Sequence, residues 1–126
     1  MSKISELLKD FHEKYSPVFA GPGNDNEHHW RVRNTRREIL EEECKEYADA
    51  ELANDFVGVA DALGDLVYVA YGTALTYGID LDAVIEEIHR SNMTKDMPEH
   101  VGGKAVKGKN YVAPDIRKVL NGGREG

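Results

Sequence analysis

An almost uninterrupted apolar stretch from Phe56 to Ile79 places the strongest constraint on how this 126-residue chain folds. Apart from tyrosines, its only ionisable side chains are Asp61 and Asp65, which lie about one helical turn apart. Because apolar residues surround these aspartates on nearly all sides, the pattern predicts a helix buried inside a helical bundle. An unpaired buried carboxylate is costly, so the two aspartates are expected to meet cations or hydrogen-bond donors, or to have raised pKa values.

A second acidic element precedes this stretch, where five glutamates occur within nine residues of the segment 38–46. In a helix, Glu42 and Glu43 each lie about one turn from Glu46, so three carboxylates converge on one face. A lone glutamate run of this kind can also be a solvated helix face. Together with the aspartates of a facing helix, however, it predicts an all-oxygen site suited to Mg²⁺ or Mn²⁺. Because Mg²⁺ commonly takes its remaining ligands from substrate phosphates, the site predicts a reaction on a phosphate ester.

Composition narrows the class of protein and of partner. With 40% apolar and 31% charged residues, the chain has the composition of a single soluble domain, predicted over residues 1–126. A net charge of −7 without a basic stripe argues against a nucleic-acid partner. The single cysteine, Cys44, excludes an internal disulfide, fits a reducing cytoplasm, and has the spacing of a core residue. Two aspartates and the lack of basic flanks argue against a membrane span at 56–79.

Periodicity and turn residues predict four to five helices with short connections. The predicted elements are a helix at 4–15 that ends before Pro17, a loop at 20–26, an acidic helix at about 30–52, a helix at 56–77 that ends at Gly78, a fourth helix capped by Asp80, a hairpin at 104–112, a turn of helix at 114–120 and a frayed end at 124–126. Since only a short Asn54–Asp55 link separates the second and third helices, these are predicted to be antiparallel neighbours. The predicted core covers about 4–95, followed by an irregular or hairpin tail at 96–126.

Basic and polar residues next to these helices are candidates for contacts with substrate. Arg36 and Arg37 either pair with glutamates one turn on or reach substrate phosphates. Asn92 and Lys95 follow a helix end, where an amide and an ammonium either bind a base or a phosphate or simply cap the helix.

The order of these motifs resembles the all-α nucleoside triphosphate pyrophosphohydrolases, the MazG-like superfamily that includes dimeric dUTPases and phosphoribosyl-ATP pyrophosphohydrolase. The family pattern is E-E-x-x-E on one helix followed by E-x-x-D on the next, and residues 42–46 match its first part. The segments 61–74, 78–82 and 89–95 look like those of compact phage and bacterial members. The resemblance covers roughly residues 35–120 and implies an all-α bundle that packs as a dimer or a dimer of dimers.

The resemblance also implies an activity and a site. The expected reaction is the hydrolysis of nucleoside triphosphates, deoxynucleoside triphosphates above all, to the monophosphate and pyrophosphate with Mg²⁺ or Mn²⁺. The expected metal ligands are Glu42, Glu43, Glu46, Asp61 and Asp65, of which the three glutamates are also the expected catalytic residues. The expected substrate contacts are Asn92, Lys95, Arg37 and Trp30.

The glutamate of the E-x-x-D element is missing from this chain. The element can be aligned with Gly58–Asp61 or with Ala62–Asp65, and we favour the first because positions 58, 61 and 65 share a helical face. Glycine costs about 1 kcal/mol relative to alanine inside a helix. Gly58 therefore marks either a close packing of helices or a lost ligand that impairs catalysis.

Two other classes of function remain open. Glu86 and His89 have the E-x-x-H spacing of di-metal oxidase bundles, but such proteins need two copies of that motif and the chain has one. The other class is a nucleotide-binding or oligomerisation module that kept the fold and lost activity through Gly58.

Overall fold

The computed structural model describes residues 2–15 and 27–122, and this part of the chain is all-α. Its five helices are α1 (Lys3–Tyr15), α2 (Glu27–Leu52), α3 (Phe56–Tyr77), α4 (Leu81–Asn92) and α5 (Ile116–Leu120). The prediction of an all-α bundle with four to five helices is confirmed. The predicted stop at Pro17, loop at 20–26 and frayed end at 124–126 lie outside the described residues.

The chain divides into two compact units, Met1–Ile79 and Asp80–Gly126. The first contains α1, α2 and α3, and the second contains α4, α5 and the irregular tail. The single domain over 1–126 stays a prediction.

In the first unit, α3 is the central helix, and both α1 and α2 pack against it. Asp55 caps its start, because one carboxylate oxygen accepts a hydrogen bond of 2.9 Å from the backbone N–H of Gly58. Gly78 ends it in the left-handed conformation at φ 71°. Both predicted boundaries are confirmed. Helix α2 begins at Glu27, three residues before the predicted start, and runs antiparallel to α3 after the short connection at 53–55.

The buried apolar residues of this unit come from α1 and α3, and they are Leu8, Ala62, Tyr71 and Ala74. Phe11 of α1 meets Tyr68 of α3 edge-on, with 5.6 Å between the ring centres. None of the helices in the described ranges has both the length and the apolar character that crossing a bilayer demands.

Cys44 is exposed, so its predicted core position is wrong. The α2 residues that turn toward α3 include positions 36, 43 and 50, which recur every seven residues. Residue 44 lies one position beyond this row and is rotated about 100° away from it around the helix axis. The spacing of Cys44 to apolar neighbours could not show which side of α2 meets α3.

In the second unit, Asp80 caps α4 as predicted, with its side chain accepting a hydrogen bond of 3.1 Å from the backbone N–H of Ala83. Glu87 accepts two hydrogen bonds of 2.7 Å from Arg90 and one of 2.6 Å from the backbone N–H of Asp115. These bonds lower the pKa of Glu87 to about 2. They also attach the start of α5 to α4, and the predicted C-terminal helical turn is confirmed as α5.

The predicted hairpin at 104–112 is wrong, although the tail is irregular as expected. Val106 forms an isolated antiparallel bridge with Asp96. The backbone N–H of Val112 donates to Thr94 Oγ1 at 2.8 Å, and its carbonyl accepts from Ser91 Oγ at 2.7 Å. Val106 and Val112 therefore both pair with the segment around the end of α4 rather than with each other.

Candidate metal centre

Three carboxylates from α2 and α3 meet in the first unit. One oxygen each from Glu43, Glu46 and Asp65 lies within 4.8 Å of the other two. Glu43 and Asp65 are half-buried, and Glu46 is exposed to solvent. We call these three residues the acidic trio. Because Mg²⁺ and Mn²⁺ prefer oxygen ligands, and carboxylates above all, the trio can hold a divalent cation.

The electrostatics of Glu43 test whether such a cation fits. Its Oε2 atom is buried, and no hydrogen-bond donor reaches it from the described residues. Burial raises the pKa of Glu43 to about 7, with further contributions from a hydrogen bond to Glu46 and from the charges of Glu46, Asp65 and Glu42. A buried carboxylate oxygen among like charges is unfavourable unless a cation or a proton neutralises it. The residues therefore fit a divalent cation.

Of the five predicted ligands, the structure brings Glu43, Glu46 and Asp65 together and leaves two outside the trio. Glu42 is exposed on α2, where its charge still raises the pKa of Glu43. Asp61 is exposed on α3. The aspartate that lies in the trio is thus that of Ala62–Asp65, and not that of the favoured alignment Gly58–Asp61 of the E-x-x-D element.

A cleft of about 370 Å³ continues from the trio along the junction of α2 and α3. Its lining residues are Glu46, Asp49, Ala50, Ala53, Asp55, Gly58, Asp61 and Ala62. Glu46 therefore belongs both to the trio and to this cleft. Sequence reasoning missed Asp49, although its E-x-x-D spacing from Glu46 was a signal that both side chains lie on one face of α2.

The surroundings of Gly58 explain why a glycine stands there. A Cβ atom at this position would lie 2.5 Å from Asp55 Oδ2 and 3.1 Å from the Cβ atom of Ala50. The first contact would disturb the cap of α3, and the second would press α3 against α2. These contacts support the interpretation of Gly58 as a close-packing position.

The two arginines of the basic segment differ in their partners. Arg37 forms a salt bridge of 3.0 Å with Glu41 one turn on, and both side chains are exposed. Of the two interpretations of Arg36, the one with a glutamate partner one turn on is wrong. Its Nε donates to Thr73 Oγ1 at 3.1 Å and its Nη2 to the carbonyl of Val69 at 3.0 Å, both on α3.

The other predicted substrate contacts have structural neighbours of their own. Trp30 is half-exposed, and the guanidinium of Arg33 lies 4.4 Å from its ring centre in a cation–π contact. In the second unit, Asn92 is the last residue of α4, and its carbonyl accepts a hydrogen bond of 3.1 Å from the backbone N–H of Lys95. The side chain of Asn92 is exposed and that of Lys95 is half-buried.

Glu86 and His89, the two residues of the E-x-x-H motif, are exposed on α4. Among the described residues, neither belongs to a group of three potential metal ligands. The described part of the chain thus provides no second set of ligands of the kind that a di-metal oxidase requires.

Sequence comparison complements this geometry. The sequence model of the phosphoribosyl-ATP pyrophosphohydrolase family matches residues 9–92, a range that contains the whole trio. The chain belongs to this family. The family is part of the MazG-like all-α superfamily, so the resemblance seen in the motifs is confirmed. Membership supports a nucleotide pyrophosphohydrolase-like function.

An uncharacterised protein of Acanthamoeba polyphaga mimivirus is 31% identical to this chain over 88 residues. The aligned segment covers 68% of this chain and 34% of the viral protein. The chain therefore spans about a third of the length of this relative, and the similarity concerns one part of a longer protein.

Proposed function

We propose that this protein hydrolyses nucleoside triphosphates, with deoxynucleoside triphosphates as the main class, to the nucleoside monophosphate and pyrophosphate. The observation that carries the proposal is the acidic trio in a chain of the phosphoribosyl-ATP pyrophosphohydrolase family. The buried, unpartnered Oε2 of Glu43 supports a cation there, since a purely structural carboxylate would be expected to find a donor.

Glu43, Glu46 and Asp65 would hold Mg²⁺, or Mn²⁺ in its place. Such an ion supplies charge neutralisation for the substrate phosphates and lowers the pKa of the attacking water. Glu42 on α2 and Asp61 on α3 are exposed and lie outside the trio, and we propose them as further ligands.

The covalent step is an attack of water on the α-phosphorus. A new phosphorus–oxygen bond forms to water while the bond to the bridging oxygen of the β-phosphate breaks, so that pyrophosphate leaves. Glu42 or Glu43 accepts the proton of the water, since a carboxylate within hydrogen-bond reach can act as general base.

Binding of the rest of the substrate is assigned to residues outside the trio. We propose Arg37 and Lys95 for the phosphates, and Asn92 and Trp30 for the nucleoside. The salt bridge of Arg37 is exposed on both sides and therefore contributes little, so the guanidinium can exchange its partner for a phosphate.

We also propose that the protein acts as a homodimer or homotetramer. Apolar side chains remain exposed on α1 and α3, among them Leu7 at 50%, Leu63 at 48% and Val67 at 44%. Apolar surface of this kind is commonly covered by a second copy of the chain. Analytical ultracentrifugation tests this proposal, and a monomer at micromolar concentration would contradict it.

A pyrophosphate-release assay tests the function. The panel contains dNTPs, NTPs and phosphoribosyl-ATP with Mg²⁺ or Mn²⁺, and compares the wild type with Glu46→Ala. Glu38→Ala is the matched control, because Glu38 is exposed on the same helix and lies outside the trio. We expect pyrophosphate from the wild type and from Glu38→Ala, and none from folded Glu46→Ala. Full turnover by Glu46→Ala, or release of orthophosphate instead, would contradict the proposal.

A further inference from the structure

Pairs of residues join α2 to α3 at intervals of seven residues, which correspond to about two helical turns. The pairs are Ala50 with Gly58, Glu43 with Asp65, and Arg36 with Gly72. The middle pair belongs to the acidic trio. At the first pair, Gly58 lets α3 approach the Cβ atom of Ala50 on α2 closely. At the third pair, Gly72 leaves room on α3 for the long side chain of Arg36.

The side chain of Arg36 is bound to α3 by a closed set of hydrogen bonds. Its Nε donates to Thr73 Oγ1 at 3.1 Å, and its Nη2 donates to the Val69 carbonyl at 3.0 Å. The hydroxyl of Thr73 in turn donates to the same carbonyl at 2.9 Å. Because a guanidinium is planar and its donors are fixed, two such bonds define where Arg36 lies along α3.

Gly72 makes this contact possible. A Cβ atom at position 72 would lie 2.6 Å from Nη2 of Arg36 and 2.8 Å from Nε2 of His12, which comes from α1. The guanidinium therefore lies directly on the backbone of α3, without a side chain between them. Its position is set by backbone and by a β-branched threonine, and both are stiff.

We propose that Arg36 is a positioning residue for the acidic trio, because its bonds to α3 fix the axial register in which Glu43 and Glu46 meet Asp65. The proposal rests on the proposed function, since it is the cation and the turnover that require this register. A shift of α2 by one residue moves its side chains by about 1.5 Å and turns them by about 100°. Oxygen atoms that lie within 4.8 Å of one another would then no longer face a common point.

In this role Arg36 acts on the metal site and does not bind the substrate. An arginine that binds phosphates contributes to the KM for the nucleotide, whereas one that holds the trio in register contributes to the affinity for the cation and to kcat. The two roles therefore give different kinetic results.

Arg36→Met and Thr73→Val test the proposal, with Thr76→Val as the matched control. Thr76 lies three residues further along α3, and its hydroxyl donates to the Gly72 carbonyl of its own helix at 3.0 Å. Mn²⁺ affinity is measured by electron paramagnetic resonance on variants whose circular dichroism matches the wild type. We expect Arg36→Met to lose about tenfold in Mn²⁺ affinity, the lower end of the loss that follows removal of a group bonded to a metal ligand, because Arg36 acts on the trio through the helix register. The loss for Thr73→Val should be smaller. Thr76→Val should keep the wild-type affinity.

Steady-state kinetics of Arg36→Met provides a second test. We expect kcat to fall in Arg36→Met with little change in KM for the nucleotide. A raised KM with unchanged Mn²⁺ affinity would place Arg36 on the substrate and overturn the proposal.

A crystal structure of Arg36→Met, solved without metal or substrate, shows the axial register of α2 against α3 directly. The oxygen atoms of the trio should separate beyond the present 4.8 Å, and a trio that stays within this distance would overturn the proposal. If the wild type releases no pyrophosphate, the proposed function fails, while this crystal structure still decides the role of Arg36.

Discussion

Gly58→Ala should leave the protein less stable than Gly64→Ala, although the two variants make the same chemical change in the same helix. Among the described residues, and apart from its chain neighbours and the backbone of α3, no heavy atom lies within 4 Å of a Cβ placed at Gly64. Replacing this exposed glycine by alanine should therefore raise the free energy of unfolding by about 1 kcal/mol, the difference in helix propensity.

At Gly58 the same gain in propensity is offset by two contacts. The new Cβ would lie 2.5 Å from Asp55 Oδ2, so the carboxylate must move and its bond to the backbone N–H at 58 is weakened. Losing an N-cap of this kind costs about 1 kcal/mol, and the contact of 3.1 Å with the Cβ of Ala50 adds to it. We therefore expect Gly58→Ala to be about 1 to 2 kcal/mol less stable than Gly64→Ala.

Urea denaturation followed by circular dichroism, at neutral pH with EDTA, measures this difference. Equal stabilisation by both substitutions would refute the close-packing explanation. Gly58→Glu then tests the alternative that a ligand has been lost. A Gly58→Glu variant that is as stable as Gly64→Ala and binds Mn²⁺ more tightly than the wild type would show that position 58 is a vacant ligand position.

Further predictions concern ionisation. With a pKa of about 7, roughly one Glu43 in ten is ionised at pH 6 and about nine in ten at pH 8. Because only the ionised carboxylate binds a metal, Mn²⁺ should bind about tenfold more tightly at pH 8 than at pH 6. Calorimetry showing the same affinity at both pH values would contradict this. The folded state binds the proton of the Glu43 carboxyl more tightly than the unfolded state does. The contribution of this proton to the free energy of unfolding is therefore fully present below pH 4.5 and is lost as the pH rises through about 7. The metal-free melting temperature should fall over this range, and Glu43→Gln should flatten the slope. The pH dependence that Glu87 gives to stability is the reverse. Because its pKa is about 2 in the folded state, its contribution to the free energy of unfolding is present above pH 4.5 and is lost as the pH falls through about 2. At pH 7, Glu87→Gln should speed hydrogen exchange at Ile116–Leu120, because the Asp115 N–H bond of 2.6 Å is weakened; unchanged exchange there would show that α5 does not depend on Glu87.

Local signals in the sequence were sufficient for most of the helix boundaries. The caps at Asp55, Gly78 and Asp80 each act on a backbone group within a few residues, so they can be recognised without knowledge of the fold. The tail was different. Val106 pairs with Asp96, and Val112 pairs with the end of α4, so contacts between distant residues decided its path.

The same limit applied to individual side chains near the site. Arg36 and Arg37 are adjacent and chemically identical, yet one bonds to α3 and the other to Glu41 on its own helix. Cys44 has the spacing of a core residue and is exposed. In each case the outcome depends on which side of α2 faces α3, and helical periodicity alone does not give the direction of that side.

The candidate site shows which features can be predicted from the sequence and which depend on the tertiary structure. Composition and spacing were enough to place acidic side chains on two neighbouring antiparallel helices, and to suggest a divalent cation between them. They favoured the alignment of the E-x-x-D element that ends at Asp61 over the one that ends at Asp65, one turn further along the same helix. Only the tertiary structure shows that, in the register in which α2 packs against α3, it is Asp65 that meets Glu43 and Glu46.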